Sequence, residues 1–428
     1  MRYSTLLFVL LASTLFAQTP QEANLLGHWS DPALQGSSAY NNTYNEVWGV
    51  ARNGREYAII GSTAGTHFID VTSSDTLTEA FFVPGKVNSP QIIHRDYHTY
   101  GDYLYAVADE GPSSLQIIDL SALPDTVTVV YDSDAVLRQA HNIFIDELNA
   151  RLYAFSVTGS FGYAPMAIYS LADPLNPIAL TTHRYFGSFS VSHFHDGFVR
   201  DNIAFLNAGT SGFAIVDFSS VTSPVLLDLL TDYPEKGYNH SGWLTEDCNY
   251  FVMADETWGS DLKMLDVQEF GDTEVVATFN AGSPNPNSIT HNQIIACDYL
   301  YVSYYYDGLQ VFDISDPKAP QRVLYYDTSQ EVYDRTYEGA WGVYPFLPSG
   351  KILVSDMQEG LFVLEGIDND CQSSFTQAYC QTTTSTSTAF AEKAQIQIFP
   401  QPAGEELNVN ISLTEAQAKV KCDLYDLN

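Results

Sequence analysis

Hydrophobic and polar residues alternate with a period of two through most of the chain. Segments such as YLYAVAD, RLYAFSV and YLYVSYY show this pattern, which is typical of strands with one face in a core. The sequence has no segment of useful length with the 3.6-residue period of an amphipathic helix. The pattern therefore predicts an all-β fold.

A second apolar segment follows these strands and recurs seven times, usually ending in an acidic residue. Its copies are 47 to 52 residues apart and end at Asp70, Asp119, Ser170, Asp217, Asp266, Asp313 and Glu365. A shorter apolar strand precedes each pair, and a further strand follows most copies, often after a turn that contains proline. Four-stranded units of about 40–50 residues predict the blades of a β-propeller, here with seven blades.

The last unit, from Trp341 to Glu365, contains only three strands. The segment LLGHWSD at residues 25–31 precedes the first unit and lacks a unit of its own. We expect it to form the outer strand of the last blade, because such closure removes an exposed sheet edge. The predicted fold is an all-β, seven-bladed propeller over residues 24–366, closed by an N-terminal strand and followed by a short C-terminal β tail.

Residues 1–17 have the features of a secretory signal peptide. Arg2, an apolar run and small residues precede a predicted cleavage after Ala17. The apolar run is shorter than the roughly 20 residues of a membrane-spanning helix, and we predict no transmembrane segment elsewhere. We therefore expect the protein to be exported through the periplasm and to be secreted or held at the cell surface.

Two segments follow the predicted ring. Residues 367–395 are rich in serine and threonine, which indicates a linker. Residues 396–428 contain IFPQPA and LYDLN, and they resemble the start of the C-terminal sorting domain of the type IX secretion system of Bacteroidota. In that family an IYPNPA-like opening precedes short strands and an IYDLNG-like hairpin, and the domain continues past the position of Asn428. The resemblance implies a partial sorting domain and the type IX secretion machinery as a partner.

The segments IIDLS, IVDFS and VFDIS are similar to the strand that names the LVIVD repeat. From about Asn24 to Glu365 the chain resembles the LVIVD-repeat proteins, and specifically the choice-of-anchor B family, whose members carry different C-terminal anchors. The resemblance implies a repeat propeller with a sorting tail, and it implies no particular activity.

The charge of the chain excludes two classes of partner. The chain has 18 lysines and arginines against 52 aspartates and glutamates, a formal net charge of −34. Nucleic acid is excluded because phosphate binding needs clustered cations, and an anionic membrane surface is disfavoured for the same reason. A surface of this kind attracts cations instead.

Histidines recur at the start of the predicted inner strands, and tryptophans take that place in the two remaining units. These residues are 43 to 54 positions apart: Trp48, His98, His141, His195, His240, His291 and Trp341. The loops between the second and third strands return to the same face and carry Asp109, Glu110, Asp255, Glu256 and Asp356. Because the inner strands of a propeller line its channel, we expect these side chains to surround one channel mouth.

Three interpretations of this ring remain open. The histidines tie neighbouring blades together through their ring nitrogens, or they bind an extracellular ligand such as a glycan, peptide or small molecule, or they hold a divalent metal. Imidazole suits zinc, whereas carboxylates alone suit calcium. The sequence favours an extracellular binding module without assigned catalytic residues. The alternative is a metal-dependent hydrolase or lyase that uses a neighbouring carboxylate as general base.

Five cysteines fit an oxidising compartment. Cys248 and Cys297 follow the inner strands of adjacent blades in equivalent turns, and we predict a disulfide between them. Cys371 and Cys380 lie close together beyond the repeats and are predicted to close a small loop.

Overall fold

Seven antiparallel sheets follow one another along the chain, and the first strands of consecutive sheets contact each other in a closed circle. The computed structural model describes residues 19–73, 76–330 and 335–367, and the backbone of strands 394–399 and 408–413. The predicted seven-bladed β-propeller is confirmed. We number the blades 1 to 7 along the chain and name the strands of each blade a to d from the channel outward.

In each of the first four blades, four consecutive strands pair antiparallel with their neighbours. Blade 1 consists of Tyr44–Arg52, Arg55–Ser62, Gly65–Asp70 and Thr78–Pro84. Blade 2 consists of Arg95–Tyr100, Tyr103–Ala108, Leu115–Asp119 and Thr128–Ser133. Blade 3 consists of Asn142–Asp146, Arg151–Gly159, Gly162–Ser170 and Ile178–His183, and blade 4 of Asp196–Arg200, Ile203–Asn207, Phe213–Asp217 and Val225–Leu230.

The remaining blades repeat the arrangement. Blade 5 consists of Asn239–Leu244, Tyr250–Asp255, Leu262–Asp266 and Glu274–Phe279. Blade 6 consists of Gln293–Ala296, Tyr299–Ser303, Leu309–Asp313 and Gln321–Tyr326, and blade 7 of Ala340–Tyr344, Ile352–Asp356, Gly360–Leu364 and Leu25–Trp29. A one-turn 3-10 helix at Glu147–Asn149 lies within blade 3, and a short hairpin of Tyr185–Phe186 and Phe189–Ser190 lies between blades 3 and 4.

The N-terminal strand closes the ring as predicted. Leu25–Trp29 pairs antiparallel with the third strand of blade 7, and Trp29 lies opposite Leu361. The structure adds a contact that the sequence did not predict, because Gln21–Glu22 pairs in parallel with the outer strand of blade 6. The N-terminal segment therefore joins two blades and covers part of the edge of one of them.

The acidic residue that ends the repeated strand caps the turn after it. The Asp217 carboxylate accepts a hydrogen bond from the Ser219 amide at 2.6 Å, and four other copies do the same at Asp70, Asp119, Asp266 and Asp313. In blade 3 the Ser170 hydroxyl takes this role and accepts from the Ala172 amide. These side chains satisfy an amide that the turn leaves unpaired. Local bonding thus explains the acidic position of the repeat.

Aromatic side chains fill the centre of the propeller. The rings of Trp48 and His98 lie 5.0 Å apart, and Phe144 packs against both His98 and Phe198. Trp243 continues the layer and lies 5.0 Å from Phe198. These five residues come from the inner strands of blades 1 to 5, and we call them the aromatic layer. Such burial of large rings is a major contribution to core stability.

Cys248 and Cys297 are both disulfide-bonded, and they are the two cysteines among the residues that the structure describes. They occupy the turns after the inner strands of blades 5 and 6, both with positive φ. The turns contact each other, because the Cys297 amide donates to the Glu246 carboxylate at 3.0 Å. The disulfide therefore links blades 5 and 6.

The C-terminal part forms a separate compact unit at Cys380–Asn428. Within it, Ala394–Phe399 and Asn408–Leu413 form an antiparallel hairpin. The predicted signal peptide, the Cys371–Cys380 pair and most of the predicted linker lie outside the described residues. In the part of the chain that is described, no helix is long and apolar enough to cross a bilayer.

Candidate functional site

An open cavity of about 490 Å³ lies at one mouth of the channel. Six of the ten histidines of the protein line it, together with two carboxylates and a rim of aromatic residues. The lining consists of His94, His141, His193, His195, His240, His291, Asp109, Glu256, Tyr40, Tyr238, Tyr305, Tyr337 and Trp341. This concentration of imidazoles in one cavity is the most distinctive chemical feature of the molecule.

Five of these histidines and one tryptophan form a closed circle of touching rings, which we call the histidine ring. Neighbouring ring centroids lie between 3.8 and 5.3 Å apart all the way round, in the order His94, His141, His195, His240, His291 and Trp341. Blades 2 to 7 each contribute one member. The ring therefore brings together four of the five histidines and one of the two tryptophans that the sequence singled out.

Backbone carbonyls fix which nitrogen carries the proton in two of these rings. His195 Nδ1 lies 3.1 Å from the His240 carbonyl, and His291 Nδ1 lies 2.6 Å from the Trp341 carbonyl. Because a carbonyl only accepts, each Nδ1 donates and each neutral ring keeps a lone pair on Nε2. Each bond also crosses to the next blade. The predicted tying of blades is therefore present, but it uses one nitrogen of each ring.

His141 makes the contact that defines the ring chemically. Its Nδ1 lies 2.8 Å from an Asp109 carboxylate oxygen, and its Nε2 lies 2.8 Å from His195 Nε2. The carboxylate fixes a proton on His141 Nδ1, and His195 Nε2 already holds a lone pair. Two nitrogen lone pairs at this distance repel, and a proton or a cation bound between them would remove the repulsion.

His240 and Glu256 form the part of the wall next to His195. His240 Nε2 lies 3.9 Å from a Glu256 carboxylate oxygen, and the Tyr305 hydroxyl donates to that oxygen at 2.6 Å. Tyr305 has a φ of 38°, in the left-handed region that costs free energy for a non-glycine residue. The backbone at Tyr305 thus holds its hydroxyl against Glu256.

His94 and His193 also line the cavity, although their positions in the sequence did not predict it. The His94 ring is held by Glu110, which also accepts from the backbone amides of Ile93 and His94. His193 is bonded at both nitrogens, by the Ser156 hydroxyl at 2.5 Å and the Tyr238 hydroxyl at 2.6 Å. His193 is therefore a positioning residue of the wall, whereas His94 is bonded to Glu110 through Nδ1 and also lines the cavity.

Burial keeps several of these imidazoles neutral. It lowers the pKa of His195 and of His240 well below the usual 6.5, and that of His291 to about 3, and neighbouring histidines add to the effect. Burial also raises the pKa of Glu256 to about 7. Burial alone would raise the pKa of Asp109, but the hydrogen bond and charge of His141 hold it below its usual value. Neutral imidazoles beside a carboxylate are suited to bind a metal ion.

The structure corrects the sequence alignment for His98 and Trp48. Both lie in the aromatic layer and line a smaller cavity of about 60 Å³ further inside the channel. His98 is the fourth residue of its strand, whereas His141 and His195 directly precede theirs. Its Nδ1 bonds the Thr99 carbonyl. The prediction that these two residues belong to the mouth was wrong, because the inner strands of blades 1 and 2 begin earlier than their motifs suggested.

Three acidic residues predicted at the mouth lie elsewhere. Asp255 is fully buried, pairs with Lys263 at 2.9 Å and accepts from the Tyr233 hydroxyl. Asp356 is also buried and accepts from the Thr328 hydroxyl. Glu110 lies behind His94, as described above. The carboxylates that face the cavity are Asp109 and Glu256, so Asp255 and Asp356 stabilise loops rather than the site.

A second group of acids lies inside the channel beneath the histidine ring. Glu46, Asp96 and Asp196 line the smaller cavity together with Asn142 and Asn292. Burial raises the pKa of Glu46 and of Asp196 to about 7, and that of Asp96 well above its usual value. Asn292 donates to Glu46 at 2.8 Å. These groups are held by protein hydrogen bonds.

Two sets of donors in the ring have spacings that fit a metal ion. In one set, ligand atoms of His240, Glu256 and His291 all lie within 4.8 Å of one another, and in the other the same holds for His94, Asp109 and His141. Each set combines two imidazoles with one carboxylate. This chemistry fits zinc, or iron in a two-histidine, one-carboxylate site, better than calcium, which prefers oxygen ligands.

Comparison with known proteins agrees with the fold. The LVIVD repeat family model matches residues 294–328, which contain most of blade 6. The solved structures that resemble the chain include "Structure of U3-55K", at 9% identity and a TM-score of 0.51 over 77% of this chain and 100% of that chain. Another is "Crystal structure of RRP9 WD40 repeats", at 9% identity and a TM-score of 0.50 over 77% and 98%. No curated protein matches the chain. The repeat match and the seven blades together support an LVIVD-repeat β-propeller.

Proposed function

We propose that this propeller is an extracellular binding module whose channel mouth binds a divalent transition-metal ion, such as zinc. His240, Glu256 and His291 are the ligands. The observation that carries the proposal is the grouping of these three donors within 4.8 Å on the wall of an open cavity. Two neutral imidazoles and one carboxylate give a singly charged donor set for a divalent cation.

The surroundings of the three donors support this assignment. His291 donates its Nδ1 proton to the Trp341 carbonyl, and Tyr305 donates to Glu256. Metal-binding histidines and carboxylates usually have such partners, which orient the ligand and fix the histidine tautomer. The net charge of −34 adds a long-range attraction for cations.

Export follows from the sequence rather than from the fold. The signal peptide predicted at residues 1–17 and the resemblance of residues 396–428 to a type IX sorting domain make the outer cell surface the proposed location. N-terminal sequencing of the protein from its native host tests this. A chain that begins at Gln18 and is recovered outside the cytoplasm supports export, and a cytoplasmic chain that retains Met1 contradicts it.

The second candidate is a metal-dependent hydrolase or lyase, and one observation favours it. Three protein ligands leave coordination positions open toward a cavity of about 490 Å³, as in catalytic zinc sites. Zinc-loaded protein is assayed with chromogenic esters and phosphoesters. Turnover that is lost in Glu256→Gln supports the enzyme, and zinc binding without turnover favours the binding module.

Isothermal titration with zinc tests the metal site directly. The wild-type protein and the variants His291→Gln and Glu256→Gln are compared, and His183→Gln serves as the matched control. His183 lies on the outer strand of blade 3, where it bonds the Val221 carbonyl. We expect the first two variants to lose at least about tenfold in affinity and the control to bind as the wild type does. Equal affinity in all four proteins would overturn the assignment.

A further inference from the structure

The contact between His141 and His195 lies outside the three ligands proposed above. Their Nε2 atoms are 2.8 Å apart, and the Nδ1 atom of each ring is bonded to an acceptor, a carboxylate for His141 and a backbone carbonyl for His195. This pairing leaves both Nε2 lone pairs directed at one another. Carboxylate–histidine–metal arrangements with a fixed Nδ1 proton are typical of metal-binding histidines.

We propose that the mouth binds two divalent metal ions, the second one between His141 and His195. Asp109 holds His141 in the required tautomer, and the His94 ring, whose centroid is 4.9 Å from that of His141, is the third imidazole that we assign to this ion. The inference rests on the proposed function, because both ions enter through the same cavity. The two donor sets occupy adjacent parts of one ring, since the rings of His195 and His240 are 3.8 Å apart.

The geometry needs a small adjustment to accept the ion. Two nitrogens bound to one zinc at about 2.1 Å are roughly 3.0 to 3.4 Å apart, for angles between 90° and the tetrahedral value. The observed 2.8 Å therefore has to increase by a few tenths of an ångström, and both rings have to turn so that their Nε2 lone pairs converge on the ion. The His141 and Asp109 side chains are 15% and 32% exposed, so an ion in the cavity can reach them.

The charges at this position also fit a cation. Asp109 faces His141 directly and is held in its ionised form by it. Glu110 lies behind His94. A cation bound by both Nε2 atoms would remove the repulsion between their lone pairs.

Zinc stoichiometry tests the inference. Purified full-length protein is saturated with zinc and desalted, and its zinc is counted by mass spectrometry and by titration calorimetry. The variants are Asp109→Asn with His94→Gln for the second ion, and Glu256→Gln with His291→Gln for the first. His183→Gln is again the control, and circular dichroism establishes that each variant is folded.

We expect two zinc ions per wild-type chain, one in each double variant, and two in the control. One ion in the wild type that is lost only with Glu256 and His291 would overturn this inference and leave the proposed function intact. One ion that is lost only with Asp109 and His94 would overturn the proposed ligands, and with them this two-ion arrangement. No bound zinc in a folded wild-type chain would overturn both. Cobalt substitution gives an independent spectrum for each site, and two distinguishable spectra support the proposal.

Discussion

The Nε2 atoms of His141 and His195 lie 2.8 Å apart, across the boundary between blades 3 and 4. Both rings have their Nδ1 atoms bonded to an acceptor, so the two Nε2 atoms cannot both be unprotonated without repulsion. The contact between these two rings therefore joins blades 3 and 4 and also affects how the channel mouth binds protons and cations.

Imidazole tautomers are the first testable consequence. In metal-free protein at pH 7.5, we expect His195 and His291 to be neutral with the proton on Nδ1, because each donates to a backbone carbonyl. Long-range proton–nitrogen correlation spectra of the ring nitrogens measure this. Zinc is expected to shift the Nε2 resonance of both. A proton on Nε2 of His195 in the metal-free protein would contradict the hydrogen bond to His240.

The sequence predicted the blades because each repeat solves the same local bonding problem. The acidic residue that caps each turn, as Asp217 does, and the strands of period two can be recognised in the sequence. The missing fourth strand of blade 7 can be recognised there too. These features depend on neighbours within a few positions along the chain. The closure of the ring by Leu25–Trp29 followed from counting strands, and the pairing with blade 7 agrees with it.

The site was predicted less completely, because position along a strand depends on turns and bulges. Gly101 turns the chain three residues after His98, whereas the corresponding turn follows His195 after six residues, at Asp201. His94 lies seven residues before Gly101 and is therefore closer to the spacing of His195 than His98 is. His240 and Trp341 occupy β-bulges, which redirect side chains and are hard to read from a sequence.

The buried carboxyl of Glu46 predicts a pH-dependent stability. Burial raises its pKa from the usual 4.5 to about 7, next to the carboxyls of Asp96 and Asp196. Between pH 4.5 and 7 the folded protein keeps a proton that the unfolded chain releases, so the free energy of unfolding falls as pH rises through this window. Glu46→Gln removes this contribution and is expected to be more stable than the wild type at pH 8 by up to roughly 3 kcal/mol.

Urea unfolding at pH 5 and pH 8 measures the effect of Glu46→Gln. Glu274→Gln, at an exposed position on the outer strand of blade 5, is the control and is expected to keep the wild-type pH dependence. An unchanged slope of stability against pH in Glu46→Gln would show that Glu46 is ionised in the folded protein throughout.

Because a disulfide joins blades 5 and 6, we expect reduction to lower the stability of the folded protein. The cysteines at 248 and 297 enclose a loop of about 50 residues, for which the chain-entropy model gives about 4 kcal/mol. The double variant Cys248→Ser with Cys297→Ser is expected to lose stability of this order and to be insensitive to reductant. Equal unfolding free energies for the variant and the oxidised wild type would contradict a stabilising bond.

We expect the side-chain cap after the repeated strand to make a modest contribution to the free energy of unfolding. Asp217→Ala removes the acceptor of the Ser219 amide and is expected to lower the free energy of unfolding by about 1 kcal/mol. Asp217→Asn keeps an acceptor oxygen and is expected to lose much less. If both variants lose the same amount in thermal and urea unfolding, the negative charge rather than the hydrogen bond is what matters at this position.

Anomalous diffraction from crystals soaked in zinc tests the central claim most directly, because it locates the ion rather than its effects. Data collected on both sides of the zinc absorption edge give a map of zinc alone. We expect a peak about 2.0 to 2.2 Å from a nitrogen of His240, a nitrogen of His291 and a carboxylate oxygen of Glu256. A map at saturating zinc with peaks only at exposed acidic side chains, and none at the channel mouth, would contradict it.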